Sequence, residues 1–477
     1  MEHTDRQPLT WLESFPPMDE ERADRLLRES REGFSSKIVV LDDDPTGAQT
    51  VHDVSVYTDW EEETIREGFL EKNPMFFILT NSRSFSADVT EKVHETIARR
   101  VEQAGRETGK EFLLISRGDS SLRGHYPRET EALRDSLERE GKAAFDGEIL
   151  CPFFKEGGRY TLNDIQYVKE GDMLVPAGLT EFAKDRTFGY SASSLPDYVE
   201  EKTQGRYPAG QCICIALKDL RAFHLDTIEG QLLEAENFQK IVVNAACYGD
   251  LKVFCAAFIR ALKKKKHFLV RSAAGFPKVL AGIEDRPLLT GQELVQEDTN
   301  GGIVIVGSHV RKTTSQLEYL RKSERELVFL EFDVDRWFCV QGLMEEQQRM
   351  IRQTEKLVAA GKTVVIYTSR KLLKLDTNDG DTLLKASVDI SDALTGIIGK
   401  LSVRPRFIIA KGGITSSDIG TKALRVRKAR VMGQIRKGIP VWMTGRESKF
   451  PGMPYIIFPG NVGEVSDLRE IVEECMR

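Results

Sequence analysis

The feature that most constrains this chain is an alternation sustained along almost its whole length. Short apolar, β-favouring runs end in polar residues, and amphipathic or loop segments separate them. KIVVLDDD, DVSVYTD, MFFILTNS and EFLLISRGD come first, with SADVTEKVHETIARRVEQAG as one helical separator. EILCPFF, CICIAL, KIVVNAA and HFLVRSAA continue the series. After RPLLTGQELVQEDTNGG it resumes with GGIVIVGS, LVFLEFDV, KTVVIYTS, RFIIAKGG, IPVWMTG and PYIIFPGN. This is the βαβ signature, so the fold class is α/β, with mainly parallel sheets flanked by helices. In such sheets functional groups gather where strands end and loops leave the core.

A length of 477 residues exceeds what one core usually supports, so two bodies are expected. The breaks in the pattern set their bounds. Residues 1–36 read as a polar helical extension broken by Pro16 and Pro17; 37–280 form the first body, 281–300 a linker and 301–477 the second body. Two bodies imply a cleft, where the active site is expected.

Composition removes several classes. No apolar run approaches the roughly 20 residues of a membrane helix, and the N-terminus lacks the basic-then-apolar order of a signal peptide. A cytoplasmic protein with no membrane partner is therefore expected. The seven cysteines are scattered and odd in number, and read as reduced core residues. A net charge of −6 argues against nucleic acid as a partner. One stretch departs from that balance: Lys400 to Lys449 holds thirteen Lys or Arg against Asp418 and Glu447. Such a run is either a solvated face or a surface that meets a polyanion, and the anion-binding pattern RFIIAKGGITSSD inside it decides for the polyanion. The run KKKK at 263–266 ends a helix and reads as dipole pairing and solvation.

Three polar clusters follow predicted strands of the first body. In LDDDPTGAQT, Asp42, Asp43 and Asp44 repel one another unless a cation, a substrate hydroxyl or helix N–H groups use them; helix capping by Asp44 is the plainer reading. In TNSRSFS, Arg83 follows a strand, where a guanidinium suits either capture of a carboxylate or a pair with a nearby acid. In SRGDSSLRGHYPRE, Arg117, Gly118, Asp119, Ser120, Ser121, Arg123 and His125 make a dense polar block, in which His125 is more simply structural. Cations for a carboxylate and Asp or Ser for hydroxyls are what a sugar acid requires. FFKEGGRYTLND adds a polar loop with Arg159 and Asn163.

In the second body, Gly307 and Ser308 of VGSHVRKT precede an amphipathic helix. RFIIAKGGITSSD follows a strand with Gly412 and Gly413, then Ile414, Thr415, Ser416, Ser417 and Asp418 open a helix. Backbone N–H groups there suit an anion, without a Walker lysine motif. A plain N-cap needs neither glycine. Near the end, FPGNVG offers Gly460, Asn461 and Gly463 for a turn that closes over a nucleotide or simply joins strand to helix.

Taken in order, DDDPTGAQ, TNSRS, RGDSSLRG, VGS, GGITSSD and FPGNVG resemble the four-carbon acid sugar kinases, over roughly residues 37 to 470. The resemblance implies a sugar-acid-binding domain at 37–280 and a nucleotide-binding domain at 301–477. It implies ATP-dependent phosphorylation of acids such as threonate, erythronate or 3-oxo-tetronate, with Mg²⁺. Carried over by motif, Asp42, Asp43, Asp44, Arg83, Arg117, Gly118, Asp119 and Ser120 would touch the sugar acid. Ser308, Gly412, Gly413, Ile414, Thr415 and Gly460 would touch ATP. Asp43 and Asp119 are the candidate catalytic acids, either of them the proton acceptor. Arg117 stands where many members carry Lys and Ser121 where Thr is usual, and the loop from Lys155 to Arg186 is additional. A homodimer is allowed. Rival readings are a non-catalytic sensor of sugar acid or nucleotide, and a dehydrogenase, which the absence of GxGxxG after the first strand disfavours.

Overall fold

The computed structural model describes residues 5–295, 299–370, 380–460 and 462–477, apart from the side chains of 380–384. Asn461 and linker residues 296–298 lie outside the described residues. The chain divides into two compact units, Met1–Gly47 with Asp59–Asp285, and Ala48–Thr58 with Arg286–Arg477.

The first unit is built on a parallel sheet. Its spatial order is Ile213–Ile215, Gln239–Val243, Gly147–Cys151, Phe268–Ser272, Phe112–Arg117, Lys37–Asp42, Met75–Leu79. Lys37–Asp42, Met75–Leu79 and Phe112–Arg117 are buried at every position. That is why their sequences read as unbroken apolar runs rather than alternating ones. The helix Ala87–Thr108 starts where the Ser86 hydroxyl accepts from Val89 N–H and stops at Gly109, left-handed at φ 65°. A small antiparallel sheet orders Gln7–Pro8, Met173–Pro176, Ile165–Glu170 and Arg159–Leu162. The N-terminal extension is thus part of this unit. Its helix Glu20–Arg31 buries Ala23 and Leu27, and Lys252 reaches Asp24 at 2.8 Å.

The second unit has five parallel strands, ordered Pro454–Phe458, Ile408–Lys411, Ile303–Val306, Thr363–Thr368 and Leu327–Phe332. Ile439–Thr444, Lys428–Arg436 and Val54–Tyr57 extend it as antiparallel strands beyond Pro454–Phe458. Val54–Tyr57, early in the sequence, pairs with Lys428–Val431 and so belongs to this sheet.

Candidate functional site

In the first unit, parallel register places Asp42 beside Arg117, and Arg117 beside Ser272, at the carboxyl ends of three adjacent strands. Arg117 Nη1 donates to Asp42 Oδ1 at 3.1 Å and to Asp43 Oδ1 at 3.2 Å. Arg83 spans the next pair, with Nε 3.2 Å from Asp43 Oδ2 and Nη2 2.6 Å from Asp44 Oδ2. Both guanidiniums are therefore engaged with the aspartates. Asp44 Oδ1 also accepts from Thr46 N and Oγ1 at 2.8 and 2.6 Å, which fixes the Pro-Thr-Gly turn. A Cβ on Gly47 would lie 2.0 Å from Asp42 Oδ1, so only glycine lets this turn fold onto the carboxylates.

The three acids are not equivalent. Burial pushes Asp42 up to about 7, against the pull of Arg117 and with Asp43 and Asp44 adding repulsion. Burial also raises Asp43, while Arg83 and Arg117 oppose it. Burial would raise Asp44 as well, but Arg83 and the Thr46 bonds outweigh it and hold that carboxyl below its usual range. Asp43 Oδ2 is buried and accepts no hydrogen bond.

The block after Phe112–Arg117 is locked from within. Asp119 accepts from Ser121 Oγ and from Arg123 Nε, the latter at 2.7 Å. Burial would raise Asp119; Arg123, Arg83 and the Ser121 hydroxyl override it and hold it far below the carboxylate range. The backbone of the block is fixed too, because Gln166 Nε2 donates to Ser120 O at 2.9 Å and Tyr190 Oη to Ser121 O at 2.7 Å. His125 bonds Phe85 O at 3.0 Å and stands edge-on to Phe188, a packing role. The polar loop brings in Arg159, whose charge acts on Asp119.

Two residues that sequence reasoning passed over complete this region. Arg271, inside HFLVRSAA, donates through Nη1 to Glu129 Oε2 at 2.5 Å and to Ser116 Oγ at 2.8 Å. Ser82 Oγ donates to the other Glu129 oxygen at 2.6 Å. Burial would raise Glu129, but Arg271 outweighs it and the acid sits at about 2. A Cβ on Gly118 would lie 2.3 Å from Arg271 Nη2, which explains a glycine between Arg117 and Asp119. The signal available in the sequence was a cation inside an otherwise apolar strand.

In the second unit, the loops after Ile303–Val306, Ile408–Lys411 and Pro454–Phe458 converge. Ser308 N–H donates to Lys411 O at 3.3 Å, and Gly412 N–H to Phe458 O at 2.9 Å. A Cβ on Gly307 would lie 2.1 Å from Thr415 Oγ1, and one on Gly460 would lie 3.3 Å from Ser308 Oγ. Gly412 itself has φ 131°, a conformation glycine tolerates, and its added Cβ would lie 3.2 Å from Ser308 N. Ser308, Gly412, Thr415 and Gly460 thus come together; Gly413 opens the helix Gly413–Asp418, and Ile414 is 71% exposed. Lys411, passed over in the sequence, lies buried beneath this cluster, and burial draws its ammonium down to about 6.

Apart from Lys411, five members of the basic run are taken up by other partners. Lys422 pairs with Asp392 and Asp418, each at 3.2 Å, and Arg436 with Glu470 at 3.3 Å. Arg430 pairs with Asp53, Arg404 donates to Pro451 O at 2.7 Å, and Lys449 to Gly399 O at 2.9 Å. Lys263, Lys264 and Lys266 of the other run likewise have local partners. Among the described residues no three His, Cys, Asp or Glu side chains group as a cation cage. Mg²⁺ is held in kinase sites mainly by nucleotide phosphates with one or two carboxylates, a demand that Asp42 to Asp44 can meet only by giving up an arginine.

Comparison with known proteins accords with this division. Residues 38–280 match the model of a sugar-binding N-terminal domain, and residues 303–468 that of a nucleotide-binding C-terminal domain. These define a two-domain protein with one domain for a sugar and one for a nucleotide. The chain belongs to the four-carbon acid sugar kinase family. A Haemophilus influenzae protein of a family of unknown function has the same fold, with TM-score 0.60 and 18% identity over 92% of this chain and 100% of its own. So does a Salmonella typhimurium LT2 protein provisionally assigned as a tRNA synthase, with TM-score 0.66 and 16% identity over 92% and 98%. At such identities the likeness carries the fold alone. No curated protein matches the chain.

Proposed function

We propose that the protein is an ATP-dependent kinase that phosphorylates a hydroxyl of a small, four-carbon sugar acid. The acid binds the first domain, 37–280, at Asp42 to Asp44, Arg83 and Arg117 to Ser120. ATP binds the second, 301–477, at Ser308, Gly412 to Thr415 and Gly460; 281–300 links the two. Transfer requires the two ligands to meet in a closed, water-free arrangement. The observation that carries the reading is Asp43: a buried carboxylate, raised by desolvation, with one oxygen free of hydrogen bonds at the sheet edge of a sugar-binding domain.

In the reaction the substrate O–H proton passes to Asp43 as the oxygen bonds the γ-phosphorus and the bond to ADP breaks. Arg83 and Arg117 hold Asp43 in place and offset the acid's charge. Asp119 is the weaker proton acceptor, since its carboxylate is occupied by Ser121 and Arg123 and held strongly acidic. Its part is to shape the loop that presents Ser120. Mg²⁺ accompanying ATP would be held by the phosphates with one or two of Asp42 to Asp44, and would supply neutralisation of phosphate charge. The supply of ATP and the unpaired cysteines fit the cytoplasm.

ADP release with ATP and Mg²⁺ across a panel of C4 sugar acids tests this, with Asp43→Asn and Gly413→Trp as controls. Turnover on one acid, lost in both variants, is the expected result. ATP binding without turnover on any acid points to the sensor, and no ATP binding overturns both readings.

A further inference from the structure

Lys411 ends the strand Ile408–Lys411, immediately before Gly412, and is completely buried. A buried lysine is ordinarily matched by a carboxylate. Here three backbone carbonyls take that place: Nζ donates to Pro459 O at 2.6 Å, Gly460 O at 3.2 Å and Val462 O at 3.4 Å. The Phe458 ring lies 3.8 Å from Nζ. An ammonium has three N–H donors and no lone pair, so it can satisfy all three carbonyls and rest on a π face. As the neutral amine that burial favours, it still donates to two of them. The charged groups acting on Lys411 are Lys312, from the helix Arg311–Leu320, and Asp467, from the helix Asp467–Cys475.

The carbonyl of Gly460 is also held from the other side. Thr313 Oγ1 lies 3.2 Å from Gly460 O and 3.2 Å from Ser308 Oγ. Lys411 and Thr313 therefore fix Gly460 relative to Ser308 and Gly412, three positions that the kinase reading assigns to ATP.

We propose that Lys411 is a positioning residue for the nucleotide: its Nζ pins Pro459, Gly460 and Val462 against the Gly412 turn and so fixes the backbone that receives the phosphates. This rests on the nucleotide reading of the second domain.

The test is titration of the full chain with Mg²⁺-ATP in Lys411→Met and Lys411→Gln, alongside thermal unfolding and the KM for the sugar acid. Lys411→Met should weaken ATP binding at least tenfold and leave the sugar-acid KM within twofold. Lys411→Gln, which keeps N–H donors but no charge, should recover part of the loss. Folded variants that bind ATP within twofold of wild type overturn the inference. If Lys411→Met does not fold, Thr313→Val probes the same loop from its other attachment, and ATP affinity within twofold of wild type overturns it equally. Failure of the wild type itself to bind ATP instead defeats the functional reading on which this depends.

Discussion

The two candidate sites are built from opposite materials. At the first sheet's edge, charged side chains face one another: Asp42, Asp43, Asp44, Asp119 and Glu129 against Arg83, Arg117, Arg123 and Arg271. At the second, glycines and small hydroxyls expose backbone, Arg370 donates to Ser308 O at 2.8 Å and Lys411 is buried beneath. A sugar acid offers hydroxyls and a carboxylate, which paired ions can meet by exchanging partners. A triphosphate offers a dense ring of acceptors, which backbone N–H groups meet at close range. A charge network responds to pH and to the loss of one member; a backbone cradle responds to added bulk.

The largest effect that would sharpen this contrast is on chemistry. Asp43→Asn should lower the rate of ADP release about 10²- to 10⁴-fold, the usual worth of a general base, while ATP affinity stays unchanged. An equal loss of ATP affinity would break the separation of the two sites.

Next in size is the ion pair beneath the first site. Arg271→Met strands Glu129, which is 1% exposed, and should cost about 3–5 kcal/mol in urea unfolding. A cost below about 1 kcal/mol would show that Glu129 is protonated at little expense once its partner has gone.

The dependence on pH should have two limbs of opposite slope. Glu129 sits at about 2, below its unfolded value near 4.3, so its contribution is complete above that value and disappears as pH falls toward about 2. Asp42 sits at about 7, above its unfolded value near 3.9, so the folded state keeps its proton longer and stability falls as pH rises from about 4 through about 7. Unfolding curves across pH should show Glu129→Gln flattening the acid limb and Asp42→Asn the neutral one.

The smallest effect concerns the basic run. Lys422 and Asp392 are both more than half exposed, so Lys422→Ala should cost about 0.5 kcal/mol or less and leave ATP affinity within twofold. A large loss of ATP affinity would revive the reading of that run as a polyanion surface.

Much of this was legible because it is local. The unbroken apolar runs announced buried parallel strands, and the polar residues after them marked the carboxyl edge of the sheet. DDDPTGAQ and GGITSSD each carry their own turn within a few residues, so their peculiarity shows without a partner. What could not be read is what distance in sequence conceals. Arg271 meets Glu129 across 142 positions, and Arg430 meets Asp53 across 377. Val54–Tyr57 joins the sheet of the second unit because its register partner is Lys428–Val431. The basic run looked like a surface for phosphate because its acids come from elsewhere in the chain.

The sequence by itself therefore determined the fold class and the motifs at the strand ends, since those follow from short-range periodicity and turn chemistry, while the division of labour between the domains came from the order of those motifs and the family they resemble. Only the tertiary structure decided which charges are already paired, that Asp43 Oδ2 accepts no hydrogen bond while both Asp119 oxygens do, and that Lys411 answers to carbonyls. Ionisation and pairing depend on burial and on neighbours through space, and neither is a property of residues adjacent along the chain.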